Sequence, residues 1–191
     1  RIDDYKGNDA QAIAGCTGDS QNLLTTTWRY DTAGGASLGQ VHQTLSENGY
    51  TESRTYDALG RYLSSVLSYD DLAFQKSTTY YDNSSRVKTQ TYPNADASGY
   101  QVTFEYNDRG FFNRSRDSVN SAALYQVAAM DARGNVTEVN LGNGIKTTKV
   151  FKPDTGYAES IESLLGNTAI QHLWYQFDEV GNLASRKDFR D

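Results

Sequence analysis

The sequence predicts an all-β fold built as an antiparallel meander of hairpins. One short motif recurs seven times along the 191 residues, with a period of about 25. The residues before several copies alternate between apolar and polar side chains, which is the period of a half-buried strand. No longer window carries the apolar stripe of an amphipathic helix. A repeat array of hairpins is therefore the expected architecture.

The repeated motif begins with an aromatic or apolar residue, usually continues with an acid, and ends four or five positions later in glycine or a small residue. Successive copies start 26, 25, 25, 24, 21 and 26 positions apart. The seven copies are Tyr30-Asp31-Thr32-Ala33-Gly34, Tyr56-Asp57-Ala58-Leu59-Gly60, Tyr81-Asp82-Asn83-Ser84-Ser85, Tyr106-Asn107-Asp108-Arg109-Gly110, Met130-Asp131-Ala132-Arg133-Gly134, Phe151-Lys152-Pro153-Asp154-Thr155-Gly156 and Phe177-Asp178-Glu179-Val180-Gly181.

Each copy predicts a tight turn between two strands. The aromatic residue closes one strand, and the Asp or Asn after it can accept hydrogen bonds from nearby backbone N–H groups. The glycine supplies the left-handed conformation that follows a type I turn and leads through a G1 bulge into the returning strand. An apolar residue six positions after the aromatic re-enters the sheet; these residues are Tyr62, Val87, Phe112, Val136 and Leu183.

The segments between the copies predict the strands themselves. Tyr100 to Tyr106 and Leu173 to Phe177 alternate cleanly, and other segments are rich in Thr and β-branched residues. Turn signals at the opposite ends of the strands are Asn48-Gly49, 93–99, 142–144 and Gly166-Asn167. Each period therefore holds two strands, and the chain is expected to form about twelve to fourteen.

Three copies depart from the pattern, and we expect altered turns or a slipped register there. Ser85 replaces the turn glycine, Gly156 comes one position late, and Met130 replaces the aromatic residue. The first copy is also weak after Gly34. Residues 1–26 are interpreted as a degenerate or truncated repeat, and 27–191 as the array of about seven repeats.

Composition narrows the class of protein. The net charge is −6, with acidic residues interspersed, which argues against a nucleic-acid groove or an anionic membrane surface. The 14 Tyr and 2 Trp are expected to carry much of the buried area, as in a sheet that water reaches on one side. No apolar stretch is long enough for a transmembrane helix. Because the chain begins at Arg1 with the repeat soon running, we expect a piece of a larger protein.

No residue pattern points to catalysis, a metal or a cofactor. His42 and His172 are far apart in the sequence and are expected on solvent-facing strand positions. The recurring acids Asp31, Asp57, Asp82, Asp131 and Asp178 could in principle pair as glycosidase carboxylates. Their recurrence once per repeat favours a structural role in the turns, so we expect a non-enzymatic protein with no cofactor.

Four segments resemble the YD-repeat, or Rhs-repeat, proteins: 56–61, 130–135, 141–148 and 177–183. The stretch 152–161 is similar to a recurrent element of that family, with Lys152 in place of its Asp. The resemblance covers about residues 25 to 188. It implies a spiralling β-sheet that forms a hollow shell around a C-terminal toxic domain, as in bacterial Rhs toxins and insecticidal toxin complexes. The family's paired Asp-Pro-x-Gly cleavage motifs do not occur here, so no catalytic residue is carried over.

The resulting functional interpretation is a structural segment of such a shell, in a secreted or cell-surface bacterial protein. Its expected partners are the rest of the shell and the enclosed polypeptide, and as an isolated fragment it could oligomerise through its edge strands. The alternative is a carbohydrate-binding or cell-adhesion module. Its candidate glycan-binding residues are Trp28 and Trp174, which do not recur in every repeat; aromatic side chains in phase with the repeat are expected to form cross-strand ladders instead.

Overall fold

The computed structural model describes residues 25–31, 38–93 and 99–190, and they form antiparallel strands joined by turns. The fourteen strands follow one another in sheet order as a meander. This confirms the predicted fold class. Their bounds are β1 Thr26–Tyr30, β2 Val41–Ser46, β3 Thr51–Tyr56, β4 Tyr62–Tyr69, β5 Leu72–Tyr80, β6 Val87–Tyr92, β7 Tyr100–Tyr106, β8 Phe112–Asp117, β9 Ala123–Met130, β10 Val136–Leu141, β11 Ile145–Phe151, β12 Ala158–Leu165, β13 Thr168–Phe177 and β14 Leu183–Asp188.

The chain divides into two compact units, residues 1–101 and 102–191. This boundary falls at the start of β7. Most of the segment interpreted as a degenerate repeat, residues 1–24, lies outside the described residues, as does Gly34 of the first copy.

In the first unit the buried positions lie on one face of the sheet. Thr44, Ser65 and Thr78 are buried, and the strand register places Thr44 opposite Trp28 and Leu67 opposite Phe74 on that same face. Most ladder partners of these small residues are long polar side chains: Glu52 opposite Thr44, Arg54 and Lys76 opposite Ser65, and Gln90 opposite Thr78. The other face carries hydroxyl pairs such as Thr55 with Ser64 and Thr79 with Thr89, each at 2.7 Å between oxygens.

The second unit repeats this arrangement with aliphatic side chains. Its buried apolar residues are Val102, Val127, Val139 and Leu173. The register joins them on one face, since Val127 pairs with Val139 and Ile161 with Leu173. No described side chain is completely buried. The core of each unit is thus a single layer of side chains on one face of a sheet.

Among the described residues there is no helix that is long and apolar enough to cross a membrane.

Candidate functional site at the repeat turns

Four of the repeat turns share one hydrogen-bond pattern. In each, the Asp or Asn after the strand accepts backbone N–H groups two and four residues ahead on its Oδ1 atom; these acceptors are Asp57, Asn107, Asp131 and Asp178. The turn glycine donates its N–H to the carbonyl of that same residue. These glycines have φ between 74° and 88°. The capped type I turn followed by a left-handed glycine is confirmed.

The carboxylates of these turns are held in their ionised form. Hydrogen bonds from the side chain and backbone of Asn135 lower the pKa of Asp131. Those from the backbone and side chain of Asn182 lower the pKa of Asp178. For Asp57, partial desolvation acts to raise the pKa, but the hydrogen bonds from Arg61 outweigh it. A carboxylate that is ionised at neutral pH suits an acceptor that caps the backbone N–H groups of the turn.

Every repeat hairpin has a register shift next to the last residue pair before its turn. Tyr56 pairs with Tyr62, and the next pair is Thr55 with Ser64, so Leu63 is an extra, bulged residue. The same shift leaves His42, Lys88, Asn113, Thr137, Glu159 and Ala184 bulged in the other hairpins. The predicted apolar residues each start the returning strand, and four of them, Tyr62, Phe112, Val136 and Leu183, lie opposite the first residue of a repeat. Val87 lies opposite Tyr80. A bulge at a fixed place in every hairpin adds local twist at this end of the sheet.

The third copy corrects the sequence prediction. Tyr80, not Tyr81, ends the strand and pairs with Val87. Tyr81 occupies the position that the Asp or Asn occupies in a regular turn, because its N–H donates to the carbonyl of Arg86 as that of Asp57 donates to Arg61. Asp82 lies one position further into the turn. The loop is one residue longer than the regular one, which shifts the aromatic position back by one. The expected altered turn is therefore present, but its first residue was assigned wrongly.

The other two irregular turns are longer as well. In the sixth copy the backbone N–H of Lys152 donates to the carbonyl of Tyr157. Gly156 has φ of 76°, and its N–H donates to the carbonyl of Lys152. In the first copy Asp31 bonds the carbonyl of Gln40, and its Oδ1 accepts the N–H of Gly39 at 2.5 Å. Gly39, with φ of 77°, is the turn glycine of this copy, because it directly precedes Gln40, the last residue of the turn. The motif had assigned that role to Gly34.

Neighbouring repeats separate at the end of the sheet where these turns lie. The ladder from one repeat to the next stops at Gln43–Ser53, Ser64–Ser77, Arg114–Gln126, Glu138–Thr148 and Ser160–Trp174, short of the bulged residues. Two tyrosine hydroxyls bridge this opening. Tyr56 donates to the carbonyl of Val41 and Tyr80 to that of Tyr62, both at 2.7 Å. Partial burial raises the pKa of both tyrosines, which keeps the hydroxyls protonated as donors.

Large side chains also reach from one turn to the next. The guanidinium of Arg61 lies 4.3 Å from the centre of the Tyr80 ring and donates to the carbonyl of Ser84 at 3.0 Å. Arg133 donates to the carbonyl of Pro153, and the ring of Tyr157 stacks at 4.9 Å on Phe177. Sequence analysis missed these contacts. Two of them have a signal in the sequence, the large residue directly after the turn glycine, which is Arg61 or Tyr157; Arg133 precedes its glycine.

Two grooves lie between turns where no tyrosine hydroxyl is available. The larger, about 420 Å³, lies between the fourth and fifth turns and is lined by Asn107, Arg109, Phe111, Asn113 and residues 127–134. The smaller, about 270 Å³, lies between the fifth and sixth turns and is lined by Asp131 to Arg133, Asn135, Phe151 to Pro153 and Gly156. Met130 and Phe151 lie at these two grooves. They occupy the strand-end position that Tyr56 and Tyr80 occupy at the openings bridged by a tyrosine hydroxyl.

The aromatic ladder is present in part. Tyr56 contacts Tyr62 with ring centres 6.5 Å apart, and Tyr106 contacts Phe112 at 6.0 Å. Both are the paired residues beside the bulge. Cross-strand aromatic contacts therefore hold the hairpins at the turn end, as expected.

The two tryptophans occupy different surroundings. Trp28 on β1 is 52% exposed, whereas Trp174 on β13 is half-buried and lies under the Nζ atom of Lys187, 5.8 Å from its ring centre.

The histidines differ from the solvent-facing positions expected for them. His42 is the bulged residue of its hairpin, and its Nδ1 is buried without a hydrogen-bond partner among the described residues. His172 packs against Phe189 at 5.5 Å. Within the described ranges, no three His, Cys, Asp or Glu side chains lie close enough together to hold a metal ion.

Solved structures share this fold. The pore structure of the Photorhabdus luminescens Tc holotoxin with a TccC3 mutation aligns with 86% of this chain at a TM-score of 0.65 and 17% identity. Crystal structures of TcdB2-TccC3 with Cdc42, at TM-score 0.64 and 18% identity, and of TcdB2-TccC3 without its hypervariable C-terminal region, at 0.65 and 17%, align over the same share. This chain spans 9% of the length of each matched chain. No protein-family profile matches the sequence, and no curated protein matches it.

Proposed function

We propose that this chain is a non-catalytic segment of the sheet wall of a Rhs/YD-repeat shell, and that the complete shell encloses a C-terminal toxin or cargo domain. The observation that carries the proposal is the meander of seven bulged hairpins. Over 86% of this chain, the meander shares its fold with a segment that makes up 9% of a Tc toxin chain. A wall needs a sheet that continues from repeat to repeat, and each hairpin here pairs with its sequence neighbours.

The turn chemistry supports a structural role. The carboxylates of Asp57, Asp131 and Asp178 are occupied by backbone and side-chain donors of their own turns. An acid engaged in this way is not placed to transfer a proton to a substrate. The acid recurs because each of these turns needs an acceptor for its backbone N–H groups, and the turns form the edge of the proposed wall.

The parent protein tests the proposal directly. The reading frame downstream of Asp191 should continue into an Asp-Pro-x-Gly region and an unrelated C-terminal domain. In limited proteolysis of the full-length protein, that domain should survive intact, whereas the same domain expressed alone should be digested. Equal digestion in both forms, or a stop codon close behind Asp191, contradicts enclosure.

A glycan-binding surface is the second candidate, and the exposed ring of Trp28 is the observation that favours it. An exposed aromatic face can stack on a sugar ring. A glycan array with the wild-type chain and with Trp28→Ala separates the two functions. Saturable binding that the substitution abolishes supports adhesion, and the absence of any binding leaves the wall segment as the better account. We also propose a secreted or cell-surface location for the parent protein, which the likeness to Tc toxin structures supports.

A further inference from the structure

We propose that the groove between the fourth and fifth turns, the Arg109 groove, binds an acidic peptide segment in extended conformation. The groove is the 420 Å³ space lined by Asn107, Arg109, Phe111, Asn113 and residues 127–134. Its volume lies within the range of about 300 to 1,000 Å³ that is usual for ligand pockets. This inference does not depend on the proposed function, because it rests on one opening in the sheet.

The opening exists because two strands stop pairing early. The last ladder pair between β8 and β9 is Arg114 with Gln126, so Phe112 and Asn113 have no ladder partner in β9. On the other side, Ala128 and Ala129 are exposed and small, so their backbone is accessible. Met130, at the position where Tyr56 and Tyr80 close their openings, has no hydroxyl to donate. Backbone that lacks a ladder partner across the opening, in β8 and in β9, favours an extended peptide over a sugar.

The charges around the groove favour an anion. The guanidinium of Arg109 has no hydrogen bond or ion pair within the part of the chain that the structure describes. The guanidinium of Arg133 reaches the sixth turn instead, where it donates to the carbonyl of Pro153 and lies beside Gly156. The carboxylate of Asp131 already accepts the N–H groups of its own turn and the amide of Asn135. Among the lining residues, Arg109 is therefore the cation whose guanidinium is free to meet an anion, in a chain whose net charge is −6.

The remaining lining suits a carboxylate on a short side chain. The amide of Asn113 has no hydrogen bond among the described residues and can donate to an anion. The ring of Phe111 is 48% exposed and leans towards Gly134, where its Cε1 lies 3.8 Å from the position of an added Cβ. Glutamate offers both a carboxylate for Arg109 and methylene groups for this ring.

The test is a titration of the complete chain with two matched peptides, followed by backbone amide NMR. One peptide alternates Ser and Glu, and the other alternates Ser and Gln; both are acetylated and amidated. We expect saturable shifts around Arg109, Phe111 and Ala128 with the Glu peptide only. Arg109→Gln should weaken binding by about tenfold or more, the loss of one charge-assisted contact, and added salt should weaken it further.

The control variant is Arg186→Gln on β14, an exposed arginine outside the groove, which removes the same charge and should bind as the wild type does. The amide spectrum of each variant reports whether it is folded. The proposal is overturned if the Gln peptide binds equally well, or if both arginine variants lose affinity to the same extent. Binding of an oligouronate in preference to the Glu peptide would also overturn it, because the site would then take an acidic sugar.

Discussion

The hydroxyl of Tyr80 donates a 2.7 Å hydrogen bond to the backbone carbonyl of Tyr62, across the opening between two repeats. The β4–β5 ladder stops at Ser64 with Ser77, so the tyrosine supplies a contact that the backbone does not make there. The same relationship joins Tyr56 to Val41 one repeat earlier.

Tyr80→Phe should lower the free energy of unfolding by about 1 kcal/mol, because it removes the donor and leaves the carbonyl of Tyr62 with one acceptor contact fewer. Urea unfolding followed by far-UV circular dichroism measures the change. Tyr69→Phe is the matched control, since Tyr69 is 44% exposed and no hydrogen bond of its hydroxyl is found within the described ranges. An equal effect of both substitutions would show that the bridge contributes nothing.

Gly181→Ala should destabilise the chain by more than the cost of a left-handed alanine alone. The residue has φ of 88°, and an added Cβ would overlap the hydroxyl of Tyr157. Gly166, with φ of 60° and nothing within 4 Å, isolates the backbone cost, about 1–2 kcal/mol for Gly166→Ala. In a Tyr157→Ala background the two glycine substitutions should cost the same by urea unfolding; a persistent difference would exclude the steric contact as its cause.

Thr78→Val should leave stability unchanged or raise it, because the Oγ1 of Thr78 is buried without a hydrogen-bond partner among the described residues. Thr44 is also buried, but its Oγ1 accepts from the guanidinium of Arg54 at 3.3 Å. Thr44→Val should therefore cost about 1 kcal/mol. Thermal and urea unfolding of both variants check the contrast, and a larger loss for Thr78→Val would indicate a partner for its hydroxyl.

Glu105→Gln should destabilise the chain at neutral pH and have less effect in acid. Hydrogen bonds from Arg116 and then Arg114 lower the pKa of Glu105 below its ordinary value of 4.5. A carboxyl group with a lowered folded-state pKa contributes stability above its unfolded pKa, and that contribution is lost as the pH falls through the folded pKa. Urea-unfolding midpoints of the wild type and Glu105→Gln should therefore converge as the pH is lowered below 4.5. A gap that stays constant with pH would rule out this ion pair as its source.

Local patterns predicted the regular hairpins because the information for each lies within a few residues. Asp57 and Gly60 are three positions apart and bond each other's backbone, so composition and spacing suffice. Two turns at the opposite ends of the strands were missed. Asp70 and Ser121 take the left-handed conformation there, with φ of 49° and 62°, and neither residue type signals it as glycine does.

The assignment of Tyr81 failed for a related reason. Two adjacent tyrosines satisfy the same local motif, and only the pairing of Tyr80 with Val87 shows which one ends the strand. A longer turn moves the register by one residue without changing the composition of the repeat.

The sequence by itself determined the repeat, the antiparallel meander and the capped turns of the regular copies, because these depend on contacts between residues close in the chain. Only the tertiary structure decided how adjacent repeats meet. Whether an opening is bridged, as by Tyr80, or left as a groove, as beside Met130, depends on side chains from two repeats about 25 residues apart. The reach of Arg61 to Ser84 depends on the same spacing. Such contacts arise where the backbone ladder between neighbouring repeats ends, next to the bulge of each hairpin.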